Sequence, residues 1–302
     1  MKFKINIWLS AFRLRTLPLS ISSILMGSFL AFFKYQLNKE IFLGCIFTTI
    51  FLQILSNLAN DYGDWKKGTD NEKRVGPPRA MQIGALSATE MKTAIFLFSF
   101  LSFISGIYLV FAGTKGLEFG YSLFFILLGL LAIAAAIKYT IGKNPYGYNG
   151  LGDLFVFIFF GLVAVLGTFF LQTHHIGFSE ILPATSMGCL AVGVINLNNM
   201  RDIVNDKASG KITLAVKFGM SDAKNYQKTL IVAAVLCSVL YTIINYQWIH
   251  QFTFLIVTPL LYQHLRRVEQ NTQPEKLDKE LKKLALITLL FALTFGIGLL
   301  SI

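Results

Sequence analysis

Nine stretches of about 20 apolar residues, separated by short charged connections, constrain this chain more than any other feature. They fall at roughly 16–34, 41–60, 92–112, 119–141, 153–173, 181–199, 227–246, 249–265 and 284–301. A helix of that length crosses the hydrocarbon core of a bilayer, where each backbone polar group must be satisfied within its own segment. The expected fold class is therefore an all-α integral membrane protein of nine transmembrane helices. Of the 302 residues only 14% are charged, against about 25% in soluble domains, and 54% are hydrophobic. That balance excludes a soluble enzyme and a disordered chain. Cys45, Cys189 and Cys237 stand singly inside apolar runs, so neither a disulfide framework nor a metal cluster is implied.

The net charge of +11 would suit a nucleic-acid binder, but its distribution says otherwise. With the N-terminus placed in the cytoplasm, 24 of the 27 Lys and Arg fall on cytoplasmic connections. Only Lys34, Lys39 and Lys115 fall outside. Such a bias is the positive-inside signature of an N-in, C-out chain with an odd number of spans. No separate nucleic-acid signal exists. Residues 1–15 carry Lys2, Lys4, Arg13 and Arg15 among Ile5, Ile7, Trp8, Leu9 and Phe12 with no small-residue cleavage site after them, which reads as an amphipathic surface helix. The expected setting is the inner (cytoplasmic) membrane of a bacterial-type cell.

Thirteen of the sixteen acidic residues share the cytoplasmic side, and two groups end even-numbered spans. After span two, Asn57, Asn60, Asp61 and Asp64 lie at i, i+3, i+4 and i+7, one polar stripe if the helix continues. After span six, Asp202 and Asp206 lie at i and i+4, preceded by Asn198 and Asn199. Four spans separate the groups, so both reach the same face in the same sense. That relation suggests two parallel halves, roughly 16–141 and 153–265, within one domain over 1–302 that a final helix, 284–301, completes. Around the acids stand Lys66, Lys67, Lys73, Arg74, Arg79, Arg201, Lys207 and Lys211. Acids and bases together suit a metal-bridged polyphosphate, since Mg²⁺ takes one or two carboxylates plus phosphate oxygens while Lys and Arg hold the remaining oxygens. A third segment on that side, Tyr139 to Asp153, is rich in Gly and Tyr and contains Lys143 and Tyr148, a pattern that suits an aromatic pocket as well as a plain turn. The four histidines show no ligand spacing.

These motifs resemble the UbiA superfamily of intramembrane prenyltransferases. Asn60-Asp61-x-x-Asp64 resembles its first aspartate-rich motif and Asp202-x-x-x-Asp206 its second. NDYGDWKKGTD, RVGPPRAMQ, YTIGKNPYGYNGLGD and NNMRDIVNDKASGKITLAVKFG are similar to the branch that prenylates 1,4-dihydroxy-2-naphthoate in menaquinone biosynthesis. One position departs from the family pattern: Gly68 stands where a further Asp is expected, and the next acid is Asp70. The resemblance implies a ring of nine helices around a central cavity and two Mg²⁺ ions holding a polyprenyl diphosphate. By that resemblance Asp61, Asp64, Asp202, Asp206 and Asn60 bind metal, and Lys66, Arg74, Arg79, Arg201, Lys207 and Lys211 are candidates for the diphosphate. Tyr139 and Asp153 stand beside the reacting centre, and Lys143, Tyr148 and Asn57 are expected at the acceptor end. Other acceptors (4-hydroxybenzoate, homogentisate, haem) are rivals within the family, and an ion-coupled transporter is the rival from a different class. Oligomeric state is left open by the sequence.

Overall fold

Every long element is a helix, and no strand forms among the described residues, which are 2–35, 37–72 and 74–300 of a computed structural model. The side chains of Lys2 and Phe3, and Lys73 altogether, lie outside that description. In chain order the helices are α1 (Lys2–Phe12), α2 (Leu17–Lys34), α3 (Lys39–Lys66), α4 (Ala88–Gly113) and α5 (Phe119–Lys138). Next come α6 (Gly152–Val156), a π-helical segment (Phe157–Leu166), α7 (Gly167–Thr173), α8 (Ile181–Arg201), the short α9 (Ile203–Ala208) and α10 (Leu214–Ile244). A 3₁₀ segment (Ile249–Val257), α11 (Thr258–Glu269) and α12 (Leu277–Leu300) complete the chain. Starts follow local chemistry. Asn38 caps α3 by accepting from two backbone amides, Ser87 and Glu90 close a capping box on α4, and Thr213 caps α10.

Among the described residues eight helices are long and apolar enough to cross a membrane, with α6, the π segment and α7 forming one of them. The stretch expected as a further span at 249–265 is split instead. Pro259 has no amide hydrogen to carry a helix through, so a 3₁₀ segment leads into α11. Laid end to end at about 2.0 and 1.5 Å rise per residue, the two pieces total about 36 Å. Helix α10 begins well before the expected residue 227, and Gly219 at φ 80° breaks its first turns from the rest. The π segment was not legible in the sequence.

Helix α8 is the most enclosed, packing on α10, α12 and the π segment. Its approach to the π segment needs small residues: a Cβ on Gly161 would come within 2.7 Å of the Gly188 Cα. Helix α3 packs on α4, and α12 also packs on α2. Outward faces of α4 and α5 carry exposed Phe96, Phe111, Phe124 and Leu131, apolar surface that belongs against lipid chains. This is a multi-pass membrane protein.

Helices α2, α3, α4, α5, the π segment, α7 and α8 enclose a cavity of about 370 Å³. Its body is apolar, with Leu109, Phe125, Ile126, Phe159, Phe160 and Val163 on its walls. Its charged and asparagine-bearing wall lies toward the acidic motifs, where Arg13, Arg15, Asn57, Asn60, Tyr139 and Asn198 line it, and Thr48, Thr49, Ser102 and Thr168 add hydroxyls elsewhere on its walls.

Candidate active site

The first acidic motif stays helical through Lys66, so Asn57, Asn60, Asp61 and Asp64 do share one stripe of α3. The second bends: α8 ends at Arg201, Asp202 caps it, and α9 restarts at Ile203. A backbone bond from the Asp206 amide to the Asp202 carbonyl (2.8 Å) keeps the pair one turn apart. Contacts tie the two motifs together at one end of the bundle. Lys211 Nζ lies 3.1 Å from Asp64 Oδ2, Asn205 Nδ2 donates to the Thr69 carbonyl at 2.8 Å, and Arg74 stands 3.8 Å from Asp202. Asp61, Asp64, Asp70, Asp202 and Asp206 are all buried there.

Asp70 enters through a turn that the spacing did not reveal. Gly68 takes φ 73°, a left-handed conformation that an aspartate adopts only with strain, and it ends α3. The Thr69 and Asp70 amides then bond back to the Asp64 carbonyl, at 2.9 and 3.3 Å, and fold Asp70 over the motif. There it pairs with Arg74 at 2.9 Å and Arg79 at 3.7 Å. Gly63 opens the other side of α3, because any Cβ at that position would collide with Thr140. Thr140 Oγ1 donates to the Ala59 carbonyl at 2.9 Å, and the following loop brings the Tyr148 hydroxyl to Asp64 at 2.8 Å.

Basic residues divide into two sets. Arg74, Arg79, Arg201 and Lys211 lie among the carboxylates, whereas Lys66 and Lys207 are exposed and form no ion pair among the described residues. Lys66 is two residues past Asp64 and Lys207 one past Asp206, so helical geometry turns both away from the acidic face. Lys143, expected at the acceptor end, is exposed in the turn after Gly142 and is not brought to the cavity, while Tyr139 and Asn57 line it. Tyr148 lies under the cluster with Lys211 5.3 Å above its ring. Asp153 is buried at the start of α6, with Tyr226 near it. Arg201 forks onto Asp202 at 2.6 and 3.0 Å and reaches Asp278 at 2.7 Å.

Sequence reasoning missed Arg13, Arg15 and Asp278. Arg13, expected on a surface helix, takes φ 49° just after α1; its guanidinium lines the cavity and, with Arg79, donates to Asp61 Oδ1. Arg15 reaches Asp278 at 3.4 Å.

Burial sets the electrostatics. It raises the Asp206 carboxyl to about 7, partly offset by Lys211, and Asp70 to about 6, with Asp64 adding to the rise and Arg74 opposing it. Asp202 goes the other way: burial pushes it up, but the Arg201 fork and charge outweigh that and hold it low. Lys211 stays well above its ordinary value despite burial, because Asp64 and Asp206 face it.

Among the described residues no three carboxylates or imidazoles converge as a ready-made metal cage. The donor chemistry nevertheless fits Mg²⁺. Oxygen atoms of Asp70, Asp206, Asn60 and Asn199 are buried without a hydrogen-bond partner, and hard oxygen donors shared with a phosphate are what that ion takes.

Residues 20–288 match the UbiA prenyltransferase family. The chain belongs to that family. As a UbiA family member it is an enzyme, a prenyltransferase. Its relatives include a 1,4-dihydroxy-2-naphthoate octaprenyltransferase of Haemophilus influenzae, 42% identical over 98% of this chain and 96% of that one. Another of the same description from Escherichia coli is 40% identical over 97% and 94%. In fold the chain is similar to the apo structure of a UbiA homolog from Aeropyrum pernix K1, with a TM-score of 0.65 at 16% identity, covering 94% of this chain and 95% of that one.

Proposed function

We propose that the protein transfers a polyprenyl chain from polyprenyl diphosphate to 1,4-dihydroxy-2-naphthoate, with Mg²⁺ as cofactor and loss of the ring carboxylate as carbon dioxide. The observation that carries this reading is a buried cluster of carboxylates and guanidinium groups at the polar mouth of an apolar cavity. A diphosphate with a long hydrocarbon tail has that same division. The near full-length similarity to two 1,4-dihydroxy-2-naphthoate octaprenyltransferases supports the acceptor.

In this reading Asp61, Asp64, Asp202 and Asp206, with Asn60 and Asn199, hold Mg²⁺. When bound, Mg²⁺ supplies positive charge against the diphosphate as the allylic carbon–oxygen bond breaks. Arg13, Arg74, Arg79 and Lys211 stand within reach of the same place to hold phosphate oxygens, and the guanidinium groups suit bidentate contact. The apolar walls at Phe159 and Phe160 exclude water from the allyl cation, which the electron-rich ring of the acceptor then attacks. Loss of the carboxylate returns the bonding pair to the ring and restores aromaticity. The positive-inside bias supports a cytoplasmic N-terminus and an active site facing the cytoplasm. The test is purified protein with Mg²⁺, a polyprenyl diphosphate and a panel of aromatic acids. Product from the dihydroxynaphthoate but not from 4-hydroxybenzoate is expected, and product from 4-hydroxybenzoate alone would overturn the acceptor.

A further inference from the structure

We infer that His264 is a positioning residue: through Gln227 and Asn196 it fixes the rotation of α8, and with it where Asn198 and Asn199 stand at the metal–diphosphate site. This rests on the functional reading above and adds to it a residue that does not touch substrate.

Asn196 on α8, Gln227 on α10, His264 on α11 and Glu280 on α12 form a chain of buried polar side chains, and none of the four lines the cavity. Asn196 Nδ2 donates to the Ala223 carbonyl at 2.9 Å, which settles the orientation of that amide. The same nitrogen donates to Gln227 Oε1 at 2.9 Å, so Gln227 turns its N–H end to His264, 3.3 Å from Nε2. His264 Nε2 must then accept. The ring proton sits on Nδ1, 3.2 Å from Glu280 Oε2, and Lys283 holds the other Glu280 oxygen at 2.7 Å. Every link has a direction: turning over either amide sets donor against donor or acceptor against acceptor at a neighbouring contact. Gly193 leaves the room this needs, since a Cβ there would stand 3.1 Å from Gln227 Nε2.

A buried network whose members satisfy one another specifies a single arrangement. What this one specifies is the end of α8. Successive helical residues turn by about 100°, so Asn198 points about 200° away from Asn196, across the helix. With Asn196 tied to α10, Asn198 lines the cavity, and Asn199 is buried with its Oδ1 unpartnered. Arg201 and Asp202 follow at the end of the same helix. The apolar contacts along the rest of α8 have no direction, so the hydrogen-bonded chain is what sets its rotation.

The two sides of the imidazole can be kept separately. His264→Gln places an oxygen where Nε2 stands and still accepts from Gln227, whereas His264→Asn places an N–H where Nδ1 stands and reaches only Glu280. Mg²⁺ affinity is read in two ways. One is the midpoint of the Mg²⁺-dependent rise in melting temperature of protein holding polyprenyl diphosphate without an aromatic acceptor; the other is half-saturation of turnover. His264→Gln should stay within about twofold of the wild type by both, and His264→Asn should weaken about three- to tenfold, the worth of one net hydrogen bond. A histidine that only fills space would lower the melting temperature of both variants without Mg²⁺ and leave both midpoints alone. That result, or an equal shift of the midpoint in both variants, would overturn the inference. If His264→Asn does not fold, Gln227→Met, which removes both links, should weaken Mg²⁺ over the same range, and an unaltered midpoint there overturns the inference as well. A wild type that neither binds nor needs Mg²⁺ would remove the functional reading and this inference with it. A Mg²⁺-dependent wild type whose variants share its midpoint removes the inference alone.

Discussion

Replacing Lys211 with Met isolates the bond that joins the two acidic motifs. Lys211 Nζ lies 3.1 and 3.2 Å from the two oxygens of Asp64, and both side chains are buried. Without the ammonium, Asp64 keeps only the Tyr148 hydroxyl at 2.8 Å as a direct side-chain partner among the described residues. Breaking one member of a buried pair typically costs about 3–5 kcal/mol. A ceiling follows from proton uptake: neutralising an ordinary aspartate costs about 4 kcal/mol at pH 7 and about 1.5 kcal/mol at pH 5. The sign is that of a carboxyl forced neutral on folding, so the penalty grows as pH rises above the ordinary value. Unfolding free energy, measured by detergent titration on the purified protein, should fall by about 3–4 kcal/mol at pH 7 and by less than half of that at pH 5. A loss below about 1 kcal/mol at pH 7, or the same loss at both pH values, would refute a buried, unscreened pair.

Further outcomes follow from other parts of the site. Gly63→Ala puts a Cβ against Thr140, so the 139–148 loop must move; thermal stability should drop by about 1–3 kcal/mol despite the better helix propensity, and activity should fall with it. Because Asp206 holds its proton up to about 7, apparent Mg²⁺ affinity read from activity titrations should weaken between pH 8 and pH 6. A flat affinity over that range would contradict direct ligation by Asp206. Gly129, on the cavity wall with open space where a Cβ would stand, sets room for the donor: Gly129→Leu should shorten the prenyl chains accepted, as judged by product length from mixed donors.

The helical period made the α3 stripe legible, since Asn57, Asn60, Asp61 and Asp64 need only an uninterrupted helix to meet. The same geometry, applied to Lys66 and Lys207, turns both away from the acids. What no periodicity contains is a change of chain direction. Arg13 reaches Asp61 through a left-handed residue, and Asp70 joins the cluster because Gly68 reverses the chain. Asp278 stands far away in sequence, at the foot of α12, and only packing of that helix on α2 and α8 brings it to Arg15 and Arg201. Hydropathy located the apolar segments but is blind to backbone pitch, hence the unforeseen π segment and the split at Pro259.

Asp206→Asn tests most directly whether the two motifs act as one metal–diphosphate site. Asp206 is buried, one of its oxygens has no hydrogen-bond partner, and it forms no ion pair within 4 Å among the described residues, so Asn fits its place without orphaning a charge. Turnover of a polyprenyl diphosphate at fixed Mg²⁺ should fall at least about 100-fold while the melting temperature stays near that of the wild type. A folded Asp206→Asn protein that keeps more than about a third of wild-type turnover would contradict the two-motif site.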